Sequence, residues 1–110
     1  MKLRIEKSSV KVRLSEAEIE LFVSNGALTE TVKVTENNQF QYTIRVEANA
    51  DKCGVLFESS GVTLTIPDTR VEKWSNSSQI GIKETIVTNN GGEIVLTLEQ
   101  DLPPRKHRKQ

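Results

Sequence analysis

Laid beneath itself with a shift of 52 residues, the sequence keeps its apolar positions in step over most of its length. That register constrains the fold more than any single motif. Ile5 meets Phe57, Val10 meets Val62, Val12 meets Leu64 and Leu14 meets Ile66. Ile19 meets Val71, Phe22 meets Trp74 and Leu28 meets Ile80, while Tyr42, Ile44 and Val46 meet Ile94, Leu96 and Leu98. Glu6, Ser8, Val10, Glu20, Asn37, Asn38 and Glu47 meet identical residues. A fixed period of this kind marks one supersecondary unit written twice. A single unit of that size buries little surface and is marginal alone, so two copies are expected to pack their apolar faces into one core.

Each unit reads as strand, strand, helix, strand, strand. Leu3 and Ile5 alternate with Lys2, Arg4 and Glu6, and Val10, Val12 and Leu14 alternate with Lys11 and Arg13. Two such runs around Lys7-Ser8-Ser9 predict a hairpin. The period then lengthens. Ser15 and Glu18 have the spacing of a capping box, Ile19, Phe22 and Val23 follow at helical intervals, and Asn25-Gly26 supplies a left-handed stop. These signals predict a helix over 16–24, with strands at 28–35 and 39–48. In the second unit, strands are expected at 54–59 and 62–66. A helix opens at Pro67-Asp68, and strands at 79–88 and 93–100 flank Asn89-Asn90-Gly91-Gly92. The expected fold is therefore α+β. Internally duplicated ββαββ units form one antiparallel pseudobarrel of about eight strands with two short helices. Residues 1–102 form a single domain with repeats at 1–50 and 53–102, and 103–110 form a basic tail.

The stretch Ser8-Ser9-Val10-Lys11-Val12-Arg13-Leu14-Ser15 resembles the G-N-S-x-x-V-R-I-P segment of MazE-type antitoxins. Ser60-Gly61-Val62-Thr63-Leu64-Thr65-Ile66-Pro67 resembles it again, down to the Ile-Pro. The chain also looks like a group of short bacterial proteins of uncharacterised role. The AbrB/MazE family builds a DNA-binding pseudobarrel from two ββαββ subunits that exchange hairpins. This chain resembles such a dimer fused into one polypeptide. The resemblance implies a transcription-regulator-like function, with Arg4, Ser8, Ser9 and Arg13 facing nucleic acid and Lys11 on the same polar face. Leu56, Ser60, Gly61 and Thr65 hold the corresponding places in the second unit, and none is basic.

Charge supports a limited version of that reading. Fifteen Lys and Arg balance fifteen Asp and Glu, but Arg105, Lys106, Arg108 and Lys109 sit together at the end. Without those four, residues 1–104 carry eleven cations against fifteen anions, a net −4. The terminal run is a candidate electrostatic arm, since Lys and Arg contacts to phosphate supply most sequence-independent affinity. The expected partners are nucleic acid, bound weakly, or another protein. The expected state is a monomer or a weak homodimer.

Other classes find little purchase. Cys53 and His107 are the lone cysteine and histidine, too few for a disulfide or a zinc site, and no cofactor is expected. Met1–Lys7 alternates apolar and charged residues, unlike a secretory leader. No run approaches the length of a membrane span, so no membrane partner and a cytoplasmic location are expected. Glu47 and Glu99 are repeat-related and could meet near a two-fold axis, where paired carboxylates do acid–base work or hold Mg²⁺. None of the catalytic motifs G-x-S-x-G, H-E-x-x-H or G-x-G-x-x-G occurs, and the chain reads as non-enzymatic. The competing reading is a triphosphate-tunnel-like enzyme, with Lys2, Arg4, Lys11, Arg13, Lys33 and Arg45 lining a channel. Whether those side chains point inward or outward separates the two.

Overall fold

The structure is a computed structural model that describes residues 1–75, 81–87 and 91–100. Its elements run β1 (Lys2–Glu6), β2 (Ser9–Leu14), α1 (Glu16–Asn25), β3 (Ala27–Lys33) and β4 (Gln39–Glu47). The second half gives β5 (Gly54–Glu58), β6 (Gly61–Pro67), α2 (Asp68–Ser75), β7 (Gly81–Val87) and β8 (Glu93–Gln100). Local chemistry sets these boundaries. The Ser15 hydroxyl accepts the Glu18 N–H at 3.2 Å and the Glu18 carboxylate accepts the Ser15 N–H at 2.8 Å. Two of the donors left over at the start of α1 are satisfied in this way. Gly26, at φ 82°, ends α1 in the left-handed region and donates to the Phe22 carbonyl.

The architecture is α+β, with eight strands in two four-stranded sheets ordered β1-β2-β8-β7 and β3-β4-β6-β5. Each sheet joins the first hairpin of one half to the last hairpin of the other. The joining pairs, β2 with β8 and β4 with β6, are parallel. The single closed antiparallel pseudobarrel is thereby corrected: the sheets are mixed and separate, with β1, β7, β3 and β5 at their edges among the described residues. Alternation fixes which side of a strand meets the core, but it does not say which strand lies alongside.

The uniform shift of 52 is also corrected. Lys2 pairs with Arg13 and Gly54 with Thr65, so the first hairpins keep that shift, as do the buried Phe22 and Trp74. Beyond the helices the spacing grows by two. Ser9 lies opposite Val95 and its counterpart Gly61 lies opposite Gln41, which makes Val95 and Gln41 equivalent at a spacing of 54. Ile44 therefore corresponds to Leu98, both fully buried, and Leu28 corresponds to Ile82 instead of Ile80. The extra two residues fall between Trp74 and Gly81.

The core occupies the inner faces of the central strands. Val10, Val12, Leu14, Ile44, Val62, Leu64, Ile66, Leu96 and Leu98 are buried there, with Phe22, Val71 and Trp74 from the helices. Each such side chain contributes about 1.5–3 kcal/mol on burial. Val23, expected beside Phe22, is half exposed instead, because α1 meets the sheets along a narrow line on which Phe22 alone is buried. Among the described residues no helix is long and apolar enough to cross a membrane.

Candidate nucleic-acid interface

In β1 and β2, residues that alternate with the core positions project from the outer face of the first sheet. Cross-strand pairing sets Lys2 opposite Arg13 and Arg4 opposite Lys11, a two-by-two block of cations. Like charges directly opposite one another repel, so such a block attracts anions of either origin, its own or a ligand's. Two carboxylates among the described residues are placed to answer it. Glu99 on β8, the register partner of Arg13, accepts from Arg13 Nε at 3.1 Å and lies 3.8 Å from Lys11 Nζ. Glu6 lies 3.4 Å from Arg4 Nη2, with both side chains largely exposed. Lys2, Leu3, Arg4, Lys11 and Arg13 line a shallow cavity of about 140 Å³.

The other expected site residues are placed unevenly. Ser8 is exposed in the β1–β2 turn, where its carbonyl accepts the Val95 N–H at 2.8 Å. Ser9 begins β2, half-buried beside Val95. Arg105, Lys106, Arg108 and Lys109 lie outside the described residues. In the other sheet Gly54 stands opposite Thr65 and Leu56 opposite Thr63, so the equivalent block holds no charge. Sequence reasoning missed Glu99 as a counter-ion. Its position two residues past Thr97 on the same face was the available signal, but its strand neighbour was not.

Glu47 and Glu99 do not meet. They lie in different sheets, Glu47 engaged by Arg45 Nη2 at 3.2 Å and Glu99 by Arg13. Each carboxylate follows the nearest cation on its own face, which leaves no shared site. The six cations considered for a channel lie on outward faces. The inner faces of the central strands β2, β8, β4 and β6 carry apolar residues, with no buried charged side chain among the described residues.

A second polar cluster sits at the start of the second half. Glu84, on the inner side of β7, accepts from the Cys53 N–H at 3.1 Å and from Arg70 of α2. Arg70 Nη1 also lies 3.9 Å from Cys53 Sγ. Burial, reinforced by Glu84, pushes the Cys53 thiol up to about 12, so it stays protonated at neutral pH and serves as packing. The equivalent place in the first half is held by the Met1 amine between Glu18 and Glu30. A cavity of about 270 Å³ between the helices is lined by Glu16, Ile19, Glu20, Trp74, Ser75 and Gln100 and offers carboxylates without a cation. Among the described residues no group of three or more His, Cys, Asp or Glu is arranged to hold a metal ion.

A family model described as a family of unknown function, DUF7009, matches residues 1–109, and the chain belongs to that family. No curated protein and no solved structure matches it.

Proposed function

We propose that this member of the family is a non-enzymatic binding domain, an internally duplicated swapped-hairpin unit of AbrB/MazE type that holds the phosphate backbone of nucleic acid weakly against β1 and β2. The observation that carries the reading is the block of Lys2, Arg4, Lys11 and Arg13 on one outer sheet face. Support for the fold relationship comes from the exchange of hairpins between the halves. The uncharged second block leaves only one half able to grip, which suits weak binding without a palindromic site.

Filter binding of duplex DNA and of RNA across a salt series tests this. With about three to six phosphates neutralised, log K falls against log[salt] with a slope of roughly −3 to −5. Arg4→Ala with Arg13→Ala flattens the slope by about two, and removing residues 105–110 flattens it further. Glu99→Gln acts in the opposite sense, tightening binding severalfold by releasing Lys11 and Arg13 from their internal anion. Absence of binding to either polymer at about 20 mM salt, where electrostatic affinity is greatest, refutes the reading.

A further inference from the structure

An open sheet edge presents unpaired N–H and C=O groups that will pair with another strand, and proteins guard such edges with charge, lysine above all. Of the four edge strands here, β1 carries Lys2 and Arg4, β3 carries Lys33 and β7 carries Lys83. β5 carries no cation. Its centre is Val55-Leu56-Phe57, with Leu56 55% and Phe57 53% exposed. Leu56 belongs to the outer face and Phe57 to the inner, so this edge is apolar on both sides. In the equivalent β1, Lys2 and Arg4 stand where β5 has Gly54 and Leu56.

We propose that β5 is a self-association edge, along which two copies of the chain pair antiparallel and join two four-stranded sheets into one of eight. A two-fold axis normal to the sheet keeps the outer faces on one side, and centring it on Leu56 gives a five-residue strand its fullest overlap. In that register Leu56 faces Leu56 of the second copy, Val55 faces Phe57, and Gly54 faces Glu58. Small side chains thus oppose large ones. The two Glu58 carboxylates fall at opposite ends of the pairing, each beside the end where the exposed Lys52 of the other copy sits in the bend that leads into its β5, which sets opposite charges at the same end. A second copy therefore supplies both the apolar strand and the matching cation, which is why it is the occupant this edge fits.

A single strand edge buries much less than the roughly 1,600 Å² of a standard interface, so the dimer is weak, with a Kd on the order of 100 μM. Sedimentation velocity over a concentration series, with no nucleic acid present, is the test, and it stands apart from the nucleic-acid reading. The weight-average mass should rise from one chain towards two. Leu56→Lys should weaken association at least about tenfold while thermal unfolding stays cooperative, because the residue is exposed. Glu58→Lys should also weaken it, and adding Lys52→Glu should restore it. Antiparallel partners place Cα atoms about 4.5–5.5 Å apart, within disulfide range, so Leu56→Cys should cross-link on mild oxidation. Val87→Cys, exposed on the β7 edge, should not. A wild-type chain that stays single at millimolar concentration overturns the proposal. So does a Leu56→Lys variant that associates like wild type, or a Val87→Cys variant that cross-links as readily as Leu56→Cys.

Discussion

The hairpins β1–β2 and β5–β6 are built on the same pairing register, yet they present different surfaces. Inward, Val10, Val12 and Leu14 of one match Val62, Leu64 and Ile66 of the other, all buried. Outward, the first shows Lys2, Arg4, Lys11 and Arg13, and the second shows Gly54, Leu56, Thr63 and Thr65. The second surface continues across its sheet through Thr43 and Thr29, which share a hydrogen bond of 2.9 Å, and its cation Arg45 is held by Glu47 of the same strand. The packing requirement falls on alternate residues only, so the remaining positions are free to acquire distinct chemistry. One hairpin is cationic on its outer face, and the edge strand of the other carries no cation.

The comparison can be broken most severely in the core. Phe22→Ala and Trp74→Ala should each cost about 3–5 kcal/mol in urea unfolding, because both are fully enclosed on the inner sides of their helices. A loss below about 1 kcal/mol at either would show that the two halves do not share the core equally. The next effect separates the polar clusters. Glu84→Ala should cost about 1–3 kcal/mol by leaving Arg70 and the Cys53 N–H without their acceptor. Glu30→Ala, at the counterpart position but half exposed, should stay within about 0.5 kcal/mol. Ser15→Ala should cost about 1 kcal/mol by removing the α1 cap, a loss with no parallel at the equivalent Pro67, which has no side-chain acceptor. The gentlest test transfers charge between hairpins. Thr63→Lys with Thr65→Arg should leave stability within about 0.5 kcal/mol but steepen the salt dependence of nucleic-acid binding by about two units of slope.

What the sequence disclosed follows the range of each signal. The capping box at Ser15 and Glu18 was legible because both partners lie within one helical turn. The inner faces of β1, β2, β4, β6 and β8 were legible because alternation is a property of each strand alone, whereas β7 was marked by Ile80, which lies outside the described residues. Neighbour relations were not, and so the parallel β2–β8 and β4–β6 pairs displaced the antiparallel barrel. The change of spacing from 52 to 54 was hidden because Tyr42 and Ile44 find apolar partners at either shift, and only Val46, which falls on Gln100 at the longer one, argues for the shorter. At the candidate site the cations were readable from their alternation with Leu3, Ile5, Val10 and Val12. Glu99, 86 residues from Arg13, was not, because its effect depends on a strand pairing that no local pattern encodes. Glu84 left a fainter trace: a carboxylate between Ile82 and Ile86 on the apolar side of β7 calls for a partner, which Arg70 supplies.

The exchange of hairpins has a consequence for the birth and breakage of the chain. As the polypeptide leaves the ribosome, β2 must wait for β8, made long after it, before its sheet is complete. Contacts so remote in sequence close late and slowly. The nascent first half therefore holds β2 and β4 with one strand neighbour each, β1 and β3, until the second half supplies the other. Once closed, the same arrangement works in reverse. A protease cut in the link between β4 and β5 would leave each half gripping the other through two sheets, so the nicked molecule would remain one particle.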